Sequence, residues 1–109
     1  MLIALDFHQC VNYYPDVFTF LTRWLRASGH RVIILSATSP CNGAWLEKDL
    51  QHWNIEYDDI IMLDADIQGG YLDFADASEW KQAKMQELGV DLLFDDNPLI
   101  PLDNVVVVT

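Results

Sequence analysis

Residues 1–36 read MLIALDFHQC VNYYPDVFTF LTRWLRASGH RVIILS. Leu2 to Leu5 is a short apolar run that stops at Asp6. Pro15 then suits the first position of a helix, where a missing N–H costs nothing. Val17, Phe18, Leu21, Trp24 and Leu25 follow at helical spacing, and Gly29 closes the stretch. Arg31 to Ser36 holds the continuous apolar run Val32, Ile33, Ile34, Leu35, the pattern of a strand covered on both faces. Strand, helix and buried strand in that order predict a parallel unit with a right-handed crossover.

The alternation continues to the end of the chain. Asn42 to Trp53 predicts a helix with Leu46, Leu50 and Trp53 on one face, and Ile60 to Leu63 a third strand. Asp76 to Leu88 predicts a third helix, entered through a capping box from Asp76 to Glu79. Val90 to Phe94, after Gly89, is a fourth strand and Val105 to Val108 a fifth. The expectation is a single α/β domain over residues 1–109: a three-layer, Rossmann-like, five-stranded parallel sheet with helices on both faces. The one long connection, Asp64 to Ala75 with Gly69 and Gly70, can hold a turn or small hairpin but no cap domain, and reads as a site border or plain surface. Trp24, Trp45, Trp53 and Trp80 are read as packing residues.

Composition narrows the function classes. With 109 residues, 51% of them apolar, the chain can build one modest core. No apolar run nears the roughly 18 residues of a membrane span, and no basic leader precedes Leu2, so the expected location is cytoplasmic. Two cysteines, Cys10 and Cys41, are too few for a disulfide framework and read as reduced, inert thiols. A formal net charge of -11 disfavours nucleic acid and anionic membranes as partners. A small phosphorylated substrate stays admissible, because a divalent cation can invert the local field.

Ligands of an open parallel sheet bind beyond the carboxyl ends of the strands. The residues collected there are Asp6 and His8 after strand one, and Ser36 and Thr38 after strand two. Strand three delivers Asp64 and Asp66, and strand four Asp95, Asp96 and Asn97. Taken singly, such an aspartate or serine is commonly a turn or helix cap, the reading given to Asp64 and Asp66. Taken together, the carboxylates would repel one another unless a cation neutralised them, and all-oxygen ligation favours Mg2+ over zinc. His30 and His52 read as ordinary helix-end or surface residues.

In order, Asp6-Phe7-His8-Gln9-Cys10 after a strand, Ser36 ending the second strand, a helix lysine and Phe94-Asp95-Asp96-Asn97-Pro98 resemble the four motifs of the haloacid dehalogenase superfamily. The resemblance spans nearly the whole chain. It implies a capless phosphatase-like domain in which Asp6 is both nucleophile and Mg2+ ligand, forming an aspartyl-phosphate. It also implies Mg2+ ligation by the backbone carbonyl of His8 and by Asp95 and Asp96. Ser36, with Thr38 beside it, would bind the phosphoryl group, and a lysine would balance its charge. Lys81 is favoured over Lys84 for that role, since it lies four and seven residues before Met85 and Leu88 and nearer the helix start.

One position departs from the pattern. Where phosphatases of this superfamily usually carry a second aspartate, two residues after the nucleophile, this chain has His8. Histidine can act as acid and base near neutral pH, but Gln9-Cys10 also replaces the usual small Gly-Thr type continuation. Two readings follow: a Mg2+-dependent phosphomonoester hydrolase, or a degenerate domain that binds metal or phosphate without turnover. Without a cap, loops, a homo-oligomeric neighbour or a large substrate must exclude water. A third reading comes from Asp58 to Asp64, which resembles the phosphoacceptor strand of response-regulator receiver domains. Receivers, however, place their acidic pair after strand one and a Lys-Pro after strand five, and this chain has neither.

Overall fold

The computed structural model describes all 109 residues. Its strands are β1 (Leu2–Leu5), β2 (Arg31–Leu35), β3 (Asp59–Ile61), β4 (Leu92–Asp95) and β5 (Val105–Val107). Its helices are α1 (Pro15–Ala27), α2 (Gly43–His52) and α3 (Phe74–Leu88). The sheet order is β3-β2-β1-β4-β5 and every pairing is parallel. β1 therefore lies between β2 and β4, in register Leu5↔Ile34 on one side and Leu5↔Phe94 on the other. The order reverses direction beside β1, which opens a crevice at the carboxyl ends of β1 and β4.

Alternate side chains divide the core into two layers. Ile3, Leu5, Val32 and Ile34 pack against Phe18 and Leu25 of α1 and Leu46 and Leu50 of α2. Ala4, Ile33, Leu35 and Leu93 pack against Met85 of α3. Helices thus cover both faces of the sheet, as the continuous apolar strands require. No helix is long and apolar enough to cross a membrane.

Several details differ from the sequence expectation. α3 starts two residues earlier, at Phe74, because Asp73 rather than Asp76 caps it: the Asp73 carboxylate accepts from Asp76 N at 2.8 Å. Asp76 is already inside the first turn, where its charge favours the helix dipole. At the other end, Gly89 closes the helix in the left-handed conformation at φ 71°, and its N–H donates to Met85 O. α1 is rotated relative to its expected face. Phe18, Thr22 and Leu25 are buried, whereas Val17 and Trp24 face outward, so the packing role read for Trp24 does not hold. Trp45 is also exposed at 41%, while Trp53 stacks on Phe7 with centroids 6.1 Å apart and Trp80 packs into the second layer.

Two connections shape the carboxyl end. The segment between β3 and α3 folds back along the chain after β2: Leu63 N donates to Thr38 O, Ser39 N to Gly70 O and Leu72 N to Ala37 O. Gly70, at φ 84°, allows this return. The chain passes from β4 to β5 without a helix. That loop is pinned to α3 by Ser78 Oγ donating to Leu99 O and Asn97 Nδ2 donating to Phe74 O.

Candidate functional site

Asp6 directly follows β1, and its N–H donates to Phe94 O at 2.9 Å, which locks the end of β1 to β4. Asp95 ends β4, and its Oδ1 accepts from Asn97 N at 3.0 Å. The adjacency of the two strands therefore brings two carboxylates together from residues far apart in the chain. Asp6, Asp95 and Asp96 offer oxygens that all lie within 4.8 Å of one another, the first two buried and the third half-buried.

Lys81 enters this cluster from the second turn of α3. It is only 3% exposed, and its Nζ donates to Asp6 Oδ1 at 2.8 Å and to Asp95 Oδ2. Lys84 instead pairs with Glu87 at 3.2 Å, away from the cluster. Three carboxylates face one ammonium, so negative charge is in excess. Burial accordingly pushes Asp6 up to about 8 against the attraction of Lys81, and pushes Asp95 upward in the same way. Burial alone would discharge Lys81, but Asp6 and Asp95 together hold its ammonium above the usual lysine range. The donor set fits a hard divalent cation: carboxylate oxygens only, mutually close, and short of positive charge.

The backbone after Asp6 makes one wide turn over Phe7–Val11, closed by Asn12 N donating to Phe7 O at 3.1 Å. Inside it His8 is extended and Gln9 is left-handed at φ 57°, an unusual state for a residue with a Cβ. Asn12 Oδ1 accepts from Gln9 N at 2.6 Å and holds that conformation. The His8 ring lies near Trp45 and Tyr71, with centroids 5.7 and 5.8 Å away, and its Nε2 is buried without a hydrogen-bond partner. Burial first, then the nearby Lys81 charge, holds His8 below the ordinary histidine range, with Asp96 opposing.

Ser36 lies at the end of β2. It is fully buried, and its Oγ has no hydrogen-bond partner. A buried hydroxyl left unpaired costs roughly 1–3 kcal/mol, and groups of this kind call for an explanation. Asp6, His8, Ser36, Lys81, Asp95 and Asp96 all line one cleft of about 360 Å³. Thr38 is not brought to it. Its hydroxyl donates to Gly70 O at 2.8 Å and accepts from Asn42 Nδ2 at 2.8 Å, so it ties the returning loop to the chain after β2. The phosphate-binding role expected of Thr38 is therefore replaced by a structural one.

Of the other acidic residues, Asp66 caps the turn Pro40–Asn42 by accepting from Cys41 N at 2.9 Å. Asp64 is exposed. Cys10 is buried with its Sγ toward Phe94 O at 3.6 Å, and burial pushes its thiol far up, so it is not poised as a nucleophile. Residues not anticipated from sequence also line the cleft: Tyr13, Tyr71 and Phe74 form an aromatic rim. Tyr71 and Phe74 come from the returning segment and the start of α3, which makes the long connection a site border. Comparison of the chain with protein-family models, curated proteins and solved structures finds no match.

Proposed function

We propose that the protein is a Mg2+-dependent phosphomonoester hydrolase of the haloacid dehalogenase superfamily type, working through an aspartyl-phosphate on Asp6. The observation that carries this reading is the convergence of Asp6, Lys81, Asp95 and Asp96 beside the unpartnered Ser36 hydroxyl in one cleft. Asp6, Asp95 and Asp96, with the backbone carbonyl of His8, would hold Mg2+. When bound, the cation supplies charge neutralisation at the carboxylates and the phosphoryl oxygens.

In the reaction, a carboxylate oxygen of Asp6 forms a bond to phosphorus as the bond from phosphorus to the ester oxygen breaks. His8 gives a proton to the departing alcohol. Water then attacks the phosphorus of the aspartyl-phosphate, His8 takes its proton, and inorganic phosphate leaves as the Asp6 carboxylate is restored. Ser36 Oγ donates to a phosphoryl oxygen, and Lys81 balances the charge that spreads over these oxygens in the transition state. The test is Mg2+-dependent phosphate release from nucleotides, sugar phosphates and an aryl phosphate, with Asp6→Asn as the control.

One observation favours a second reading, a domain that binds metal or phosphate without turnover. The His8 ring lies among Phe7, Trp45 and Tyr71, an environment that also suits a packing residue. On this reading Mg2+ raises thermal stability while no ester in the panel is hydrolysed.

A further inference from the structure

The cleft has a charged floor and an uncharged mouth. Asp6, Asp95 and Asp96 bring three carboxylates to the floor. Of the chain's Lys and Arg side chains only Lys81 lines the cleft. With one Mg2+ added, positive and negative charge there balance, so a bound phosphate dianion leaves the centre negative. The exposed Asp73 adds a further carboxylate to the lining. No basic side chain is left to receive a second phosphate or a carboxylate.

The mouth offers rings instead. Tyr13 is 62% exposed, Tyr71 63% and Phe74 46%, and all three line the cleft. Two of them stand on held backbone. Tyr71 pairs with Thr38 in an isolated antiparallel bridge, and Phe74 opens α3 with its carbonyl accepting from Asn97 Nδ2 at 2.8 Å. A ring on fixed backbone supplies contact area at little entropic cost. Tyr71 also lies against His8, with ring centroids 5.8 Å apart. In the proposed reaction the departing alcohol takes its proton from His8, so that alcohol lies beside Tyr71.

We infer that the preferred substrate is a phosphate monoester of a small alcohol that carries an aromatic ring and no negative charge, with the ring against Tyr71 and Phe74. The inference rests on the hydrolase reading for the place of the phosphoryl group and adds the chemistry of the remainder. A cleft of about 360 Å³ lies at the low end of the roughly 300–1,000 Å³ of small-molecule sites, which suits one ring system. Sugar bisphosphates and nucleotides with more than one phosphate are disfavoured by charge.

The test uses phosphonates, whose carbon–phosphorus bond resists hydrolysis, titrated into the full chain with saturating Mg2+ at a single pH and followed by phosphorus NMR. Benzylphosphonate should bind about tenfold tighter than methylphosphonate, and cyclohexylmethylphosphonate should fall between them. Tyr71→Ala should bring benzylphosphonate to within about threefold of methylphosphonate, whereas Tyr71→Phe should keep the preference. A carboxylate at the para position of benzylphosphonate should cost about fivefold. Asp73→Asn, which keeps the helix cap, should recover part of that loss. If methylphosphonate binds but benzylphosphonate or its cyclohexyl counterpart shows no difference from the other probes, or Tyr71→Ala leaves the preference intact, the aromatic assignment is overturned while the phosphoryl site stands. A carboxylated probe that binds as tightly as benzylphosphonate would overturn the exclusion of a second anion. If no phosphonate binds in the presence of Mg2+, the hydrolase reading itself fails and the substrate assignment falls with it.

Discussion

Lys81 Nζ donates to Asp6 Oδ1 at 2.8 Å across 75 residues of sequence, with both side chains almost wholly removed from water. The pair joins α3 to the end of β1, and through Asp95 the same ammonium reaches the end of β4. Lys81→Met should therefore destabilise the fold increasingly as pH rises through about 8, by about 3–5 kcal/mol once both buried carboxyls are charged, because they then lose their cation. Lys84→Met, which breaks only a pair with the exposed Glu87, should cost about 0.5 kcal/mol or less. Urea denaturation of the two variants checks the contrast.

The metal-free protein should lose stability at this site as pH rises. Asp6 stands at about 8 in the folded chain, and Asp95 is raised as well, against about 4 for an unfolded carboxyl. A raised carboxyl contributes stability that is complete below about pH 4 and is lost as pH climbs through about 8. Asp6→Asn, neutral at every pH, should flatten that part of the slope. Mg2+ should raise the melting temperature of wild type more at about pH 8 than at about pH 5, because protons compete for the same oxygens. Melting curves at several pH values, with and without Mg2+, give both results.

Ser36→Ala should separate function from stability. The hydroxyl is buried and unpartnered, so its removal should leave the free protein equally stable or more stable by up to ~1 kcal/mol. Affinity for orthovanadate or inorganic phosphate should fall about tenfold, the value of one good hydrogen bond to an anion. Thr38→Val should do the reverse. It breaks two internal hydrogen bonds and should cost ~1–2 kcal/mol of stability. Calorimetric titration alongside thermal melts reads both effects.

His8→Ala should lower turnover about 100-fold or more if His8 moves the proton. Since burial and Lys81 hold His8 below the usual range, kcat/KM, which needs the protonated ring to protonate the departing alcohol, should fall as pH rises through a value below about 6.5. The variant should lose that fall while keeping its Mg2+-induced rise in melting temperature.

Much of the architecture was legible because the strands are apolar throughout, as a sheet covered on both faces demands. β1, β2 and β4 could be placed within a residue or two, and their carboxyl ends collected Asp6, Ser36, Asp95 and Asp96. The period of α3 admitted both Lys81, four residues before Met85, and Lys84, four before Leu88, and the position of the lysine near the helix start in the family the chain resembles favoured Lys81. The remainder depended on contacts that spacing does not encode. The Asp73 cap lacks the glutamate of a capping box, so Asp76 read as the start of α3. Thr38 follows a strand end as a ligand-binding residue would, but its partners, Asn42 and Gly70, arrive through the fold-back of a loop. On α1, Val17 and Trp24 fit a helical period as well as Phe18 and Leu25 do, and only the seat of the helix on the sheet decides which pair is buried.

Asp6 is the residue proposed to take up the phosphoryl group. The direct test is incubation with acetyl phosphate and Mg2+, borohydride trapping of the acyl phosphate, and peptide mapping by mass spectrometry. The predicted result is reduction at Asp6, dependent on Mg2+ and absent in Asp6→Asn. Labelling at the exposed Asp64 instead, the receiver-domain outcome, would contradict it.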